Sequence, residues 1–122
     1  MARSPHDRLR DLNIGKGIVK RVDFLDAMIT SSAKRKEKET VKQLELLRRD
    51  FVELLEQCFV EPFEFAPGTP VSAMMRTRIQ IVGGKSREGE QTKIAETVRC
   101  GFLYTHADEE EMVLRKAEVT IG

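Results

Sequence analysis

The sequence predicts an α+β protein: an N-terminal helical hairpin forming a four-helix bundle in a homodimer, followed by a small antiparallel β domain. Three observations predict it. Apolar residues recur every three or four positions between Ile18 and Cys58. Beyond Pro62 they alternate with polar ones, the period of a strand with one covered face. The two regimes are separated by Pro62 and by the turn-forming run Pro67-Gly68-Thr69-Pro70.

The elements follow in chain order. Residues 1–16 are polar, basic and interrupted by Pro5 and Gly15, which predicts a flexible basic leader. Residues 17–59 form the helical dimerisation hairpin. Its first stripe is Ile18, Val22, Leu25 and Ile29, and Ser31-Ser32 ahead of Lys34-Arg35-Lys36 then suits a short connection. A second stripe, Leu44, Leu47, Phe51, Leu54 and Cys58, keeps an a/d pattern over two heptads. Thr40 and Gln43 have capping-box spacing, although the helix can start earlier, near Lys36, and Pro62 ends it. One hairpin buries two such stripes poorly, whereas two hairpins bury both; the alternative is that the stripes pack on the protein's own sheet.

Residues 60–122 form the β domain. Phe63 and Phe65 flank Glu64; Met75, Thr77, Ile79 and Ile81 alternate with Arg76, Arg78 and Gln80. After a loop from Gly83 to Gly89, the residues Ile94, Val98, Cys100, Phe102 and Tyr104 share one face of a third strand region. Asp108 to Glu111 make an acidic hairpin tip, and Val113, Ala117, Val119 and Ile121 lie along a last strand.

Composition narrows the function classes. With 122 residues, 40% hydrophobic and 34% charged, the chain is neither a membrane span nor a disordered polyampholyte. Its first residues contain no apolar core for secretion, and two cysteines, Cys58 and Cys100, make no disulfide framework. Both are expected as buried, reduced thiols in the cytoplasm. Residues 1–38 carry ten Lys/Arg against five Asp/Glu, so a basic end precedes an acidic remainder. Such an end suits nucleic acid, but a solvated helix face and loose tail account for it, and no groove-reading motif accompanies it.

Catalytic chemistry has no foothold. Gly84-Lys85-Ser86 resembles the end of a phosphate loop, but Ile79 stands where that motif needs its first glycine, so a hairpin loop is the better reading. His6 and His106 lack metal-ligand spacing, and the acidic run lacks the alternation of a calcium loop. The serines have no nucleophile elbow. The chain therefore reads as a binding or assembly protein, not an enzyme, with no metal and no cofactor.

The order helix, helix, small β domain resembles the GrpE family, the nucleotide-exchange factors of DnaK-type chaperones. Gly101-Phe102, a variable hairpin, and Leu114-Arg115-Lys116-Ala117-Glu118-Val119-Thr120-Ile121 look like that family's Gly-Tyr, hairpin and Leu-Arg-Pro-Ala-x-Val-x-Val ending. Upstream, Ile94 to Arg99, the helix from Leu44 to Glu61, and Ile18 to Met28 are similar to the preceding elements, so the likeness spans roughly residues 18–122. Three departures stand out: Val71 at the family's histidine, Lys116 at its proline, and a short leader where the family has a long paired helix.

The resemblance implies a cytoplasmic homodimer whose β domain binds the ATPase domain of a DnaK-type chaperone, holds the nucleotide cleft open and releases ADP. It implies dimerisation through Ile18, Val22, Leu25, Ile29, Leu44, Leu47, Phe51 and Leu54. Partner contacts fall on Met112, Val98 and Ile121, more loosely on Met74 and Met75, with Arg115 either an anchor or an interface charge. It implies no membrane. Alternative readings are a GrpE-like structural or regulatory dimer without exchange activity and, third, a small nucleic-acid-binding protein.

Overall fold

The computed structural model describes residues 3–86 and 89–122. The chain divides into two compact units, Met1–Glu61 and Pro62–Gly122. The first is helical and the second is built mainly of short strands, so the protein is α+β.

Helix α1 runs from Pro5 to Lys34 and α2 from Lys38 to Glu56. The expected leader is thus helical from Pro5 onward; its first two residues lie outside the described ones. The reason is local. Ser4 caps the helix, its Oγ accepting from the Asp7 N–H at 3.2 Å while the Ser4 N–H donates to the Asp7 carboxylate, also at 3.2 Å. Pro5 at the first helical position sacrifices no hydrogen bond, because that N–H has no partner inside a helix. Gly15 is tolerated because it sits buried in the helix interior.

The connection between the helices is Arg35, Lys36 and Glu37, not the two serines. Ser32 is a buried residue of α1, and Lys36 adopts a left-handed backbone with φ 58°. At the start of α2, Glu37 stands in the cap position without a side-chain cap bond, so Thr40 and Gln43 form no capping box. That helix ends at Glu56, ahead of Pro62: Phe59, with φ 60°, has already turned the chain out of helical geometry. Asp26 and Arg48 tie the antiparallel helices together, with Nε to Oδ1 at 2.6 Å.

The strands are β1 (Val60–Phe63), β2 (Ile79–Gly84), β3 (Ile94–Arg99), β4 (Gly101–Tyr104), β5 (Met112–Arg115) and β6 (Ala117–Ile121). They make two three-stranded sheets, ordered β1-β4-β5 and β2-β6-β3. Four expectations are corrected here. The sheet is not wholly antiparallel, since β2 runs parallel to β6, with Ile79 opposite Ala117 and Ile81 opposite Val119. The third strand region is two strands in different sheets, separated at Cys100. The last one is likewise divided, at Lys116. Met75–Thr77 is a single 3-10 turn rather than strand, because Ser72 Oγ accepts from the Met75 N–H at 3.2 Å and starts a turn.

The core of the second unit is Val71, Ile79, Ile94, Ala117 and Val119, with Phe63, Phe65 and Met75 packed against it. Gly101 has no room for a side chain: a Cβ there would overlap the Phe63 ring. Gly83 and Gly84 belong to β2 instead of the expected loop, of which Arg87 and Glu88 lie outside the described residues.

Candidate functional site

Two apolar surfaces are candidates, one on each unit. On the helical unit, α1 buries Leu12, Gly15, Val19, Val22 and Leu25. Beside that stripe Ile14, Gly17, Arg21, Phe24 and Met28 follow the same steps of three and four residues, and Ile14, Phe24 and Met28 are exposed. On α2 only Leu55 is buried; Leu47 and Leu54, seven residues apart, remain 45% and 44% exposed. Leu44 and Phe51 are half-buried next to them. With each residue turning a helix by about 100°, the exposed stripe lies on the same rotational side of the buried one in both helices. The helices are antiparallel, so Ile14, Arg21 and Met28 share a face of the hairpin with Leu47 and Leu54.

The expected dimerisation residues therefore divide. Val22 and Leu25 are covered within the chain itself and present nothing to a second copy. Ile18, Ile29, Leu44 and Phe51 are half-buried at the border of the open face, and Leu47 and Leu54 lie on it. Reading the sequence missed Ile14, Phe24 and Met28, because Gly17 and Arg21 interrupt their apolar pattern. It also missed Leu12 and Val19, for Gly15 stands between them. The signal was the spacing of three and four, which continues through those residues.

The base of the hairpin carries a polar cluster. Arg3 Nη1 lies 2.6 Å from Asp11 Oδ2, and its guanidinium stacks 4.6 Å over the Phe59 ring. Asp11 is buried, which its ion pair with Arg3 makes tolerable. Burial first, and then the Asp11 carboxylate, push the Cys58 thiol above its ordinary value, so Cys58 is a poor nucleophile. Cys100, expected buried, is only half-buried.

On the second unit the expected partner residues are dispersed. Met74 and Val98 stand out at 83% and 50% exposure, and Met112 is also exposed. Val98 and the half-buried Ile121 lie on β3 and β6 of one sheet, whereas Met112 on β5 pairs with Tyr104 in the other. Met75 is turned inward against the core, and Arg115 is already engaged. Its Nη2 donates to the Cys100 carbonyl at 2.9 Å, and its guanidinium stacks 4.6 Å over the Phe102 ring. Met75 thus packs on the core and Arg115 is tied to the Cys100 carbonyl, and both remain half-buried. At the hairpin tip, the Tyr104 hydroxyl donates to Glu109 Oε1 at 2.6 Å, and His106 Nδ1 lies 2.9 Å from Glu109 Oε2. The acidic run is thereby divided, with Glu109 held inward and Asp108, Glu110 and Glu111 exposed.

Among the described residues no three His, Cys, Asp or Glu side chains are placed to hold a metal ion. Among the described residues, likewise, no helix is long and apolar enough to cross a membrane. No family model, curated protein or solved structure matches the chain.

Proposed function

We propose that this chain is a GrpE-like co-chaperone of the cytoplasm. Two copies join through the open faces of their helical hairpins, and the sheet unit binds the ATPase domain of a DnaK-type chaperone. There it holds the nucleotide cleft open so that ADP leaves. The observation that carries the reading is the uncovered apolar face shared by α1 and α2, with Leu47 and Leu54 nearly half exposed. A face of this kind is what a hairpin needs to complete a four-helix bundle with a second hairpin. Met74, Val98 and Met112 supply the exposed apolar side chains that an adaptable protein contact uses.

No bond is made or broken in this mechanism. The protein acts only by binding the open cleft more tightly than the closed one, since equal affinity for both would shift nothing. By reciprocity, ATP binding to the chaperone weakens the complex and releases the exchanger.

The direct test is ADP release from a DnaK-type chaperone followed with a fluorescent nucleotide. We expect acceleration by the wild-type chain, and weaker chaperone binding by Met112→Asp with the dimer intact. An unchanged release rate rejects the exchange activity. A second reading, a structural or regulatory dimer without exchange, is favoured by Val71, which is buried in the core where the resembled family has histidine. A chain that dimerises, leaves ADP release unchanged and retains a different protein partner supports that reading.

A further inference from the structure

The sheet β2-β6-β3 has two edges, and the chain treats them differently. Residues 65–71 run along the outside of β3. The Gly68 N–H donates to the Ile94 carbonyl at 2.7 Å, the Ile94 N–H to the Thr69 carbonyl at 2.8 Å, and the Val71 N–H to the Thr92 carbonyl at 2.9 Å. The charged Glu96 and Arg99 lie along that strand too, and pairing with β6 is shifted at two places in β3 and at one in β2, between Ile81 and Gly83. Among the described residues, no strand pairs with the outer edge of β2.

The main chain of β2 is directed toward that open edge. Ala117 N–H donates to the Arg78 carbonyl, and the register sets Ile79 opposite Ala117 and Ile81 opposite Val119. In a parallel ladder, alternate residues aim both N–H and C=O at the same neighbour. The Arg78 carbonyl and the Gln80 main chain therefore address β6, the Arg78 N–H donating instead to the Met75 carbonyl at 2.8 Å, while Ile79 and Ile81 turn their N–H and C=O outward. Ile81 and Val82 are 41% and 45% exposed, and Val82 sits at a register shift between Ile81 and Gly83 that leaves it without a partner in β6. No charge and no proline interrupts Ile79–Gly84, although open edges ordinarily carry one or the other.

The flanks are uniformly basic. Residues 76–86 contain Arg76, Arg78 and Lys85 and no acid. Arg78 is held by Glu111 at 2.8 Å, whereas Arg76 and Lys85 are exposed at the two ends of the strand. These cations argue against a second copy as the occupant. Two β2 strands pairing antiparallel about Ile81 would bring Arg76 of each beside Lys85 of the other, a repulsion at both ends.

We propose that β2 is a docking edge for an extended segment of another protein, which adds to the sheet as a fourth strand. The segment has an uncharged, β-branched centre that bonds to the Ile79 and Ile81 main chain, and acidic residues at its ends that meet Arg76 and Lys85. This edge is separate from the exchange reading, and its test needs no chaperone.

The probe is a fluorescein-labelled peptide of alternating valine and threonine with two glutamates at each end, titrated with the full-length chain. We expect saturable anisotropy, slowed amide exchange confined to Ile79–Gly84, and at least tenfold weaker binding when lysines replace the glutamates. Ile81→Pro, which removes an outward N–H, should weaken binding about tenfold. If that variant melts early, the double reversal Arg76→Glu and Lys85→Glu gives the same reading through surface charge alone. The proposal is overturned by no saturation at about 1 mM protein, by protection in β3 instead of β2, or by concentration-dependent pairing of β2 with a second copy.

Discussion

At the scale of single residues, two positions show how little freedom the second unit leaves. Gly101 faces the Phe63 ring with no space between them, so Gly101→Ala must displace an aromatic side chain packed on the core. Overpacking of that kind costs about 1–3 kcal/mol, and a thermal melt should fall accordingly. The sequence around Gly101 does not show the ring it accommodates, because Phe63 is 38 residues away. Asp7 was not legible at all, since its value depends on Ser4 being a cap. The Ser4 main-chain N–H first, then the Ser4 hydroxyl, hold the Asp7 carboxyl below the ordinary value of 3.8. A carboxyl depressed on folding stabilises the folded state above its unfolded pKa, and that contribution is lost as pH falls through the folded value. Protection of the first-turn amides of α1, taken relative to the intrinsic exchange rate at each pH, should therefore fall in acid below about pH 3.8, and Asp7→Asn should remove that acid dependence.

At the scale of elements, α2 was the most legible feature, because its apolar residues keep strict heptad spacing. By contrast, α1 was read as starting too late and ending too early. Glycine and serine lower helix propensity, yet Gly15 and Ser32 lie on its buried face. There a small residue costs less than a large one that cannot fit, so packing overrides propensity. The sheet order was illegible for a related reason: alternation marks which face of a strand is covered, not which strand lies beside it. The helix pair offers a clean measurement. Asp26 and Arg48 are each more than two-thirds buried at the side chain and 2.6 Å apart. Arg48→Ala should destabilise the hairpin by about 1 kcal/mol, and chemical denaturation measures it.

At the scale of the whole molecule, composition and period set the α+β class, whereas the functional surfaces needed exposure to be known. Leu47 and Leu54 looked equivalent to Val22 and Leu25 as apolar stripe residues. Only the folded chain separates those already covered from those left open. If the open face joins two copies, sedimentation should give twice the mass of the 13.9 kDa chain. Leu47→Asp combined with Leu54→Asp should return it to a single copy with its helices retained. A wild-type chain that sediments as one copy at high concentration would remove the dimer.

The parallel pairing of β2 with β6 carries a consequence for synthesis on the ribosome. β6 is the middle strand of its sheet, yet it is translated after both strands that flank it. While the chain is emerging, β2 and β3 must therefore wait, unjoined, for a five-residue segment still inside the exit tunnel. The helices, whose contacts are local, are free to form during that interval. Birth order thus makes the helical half an early folder and the sheet half a late one, most vulnerable to wrong pairing just before its final strand arrives.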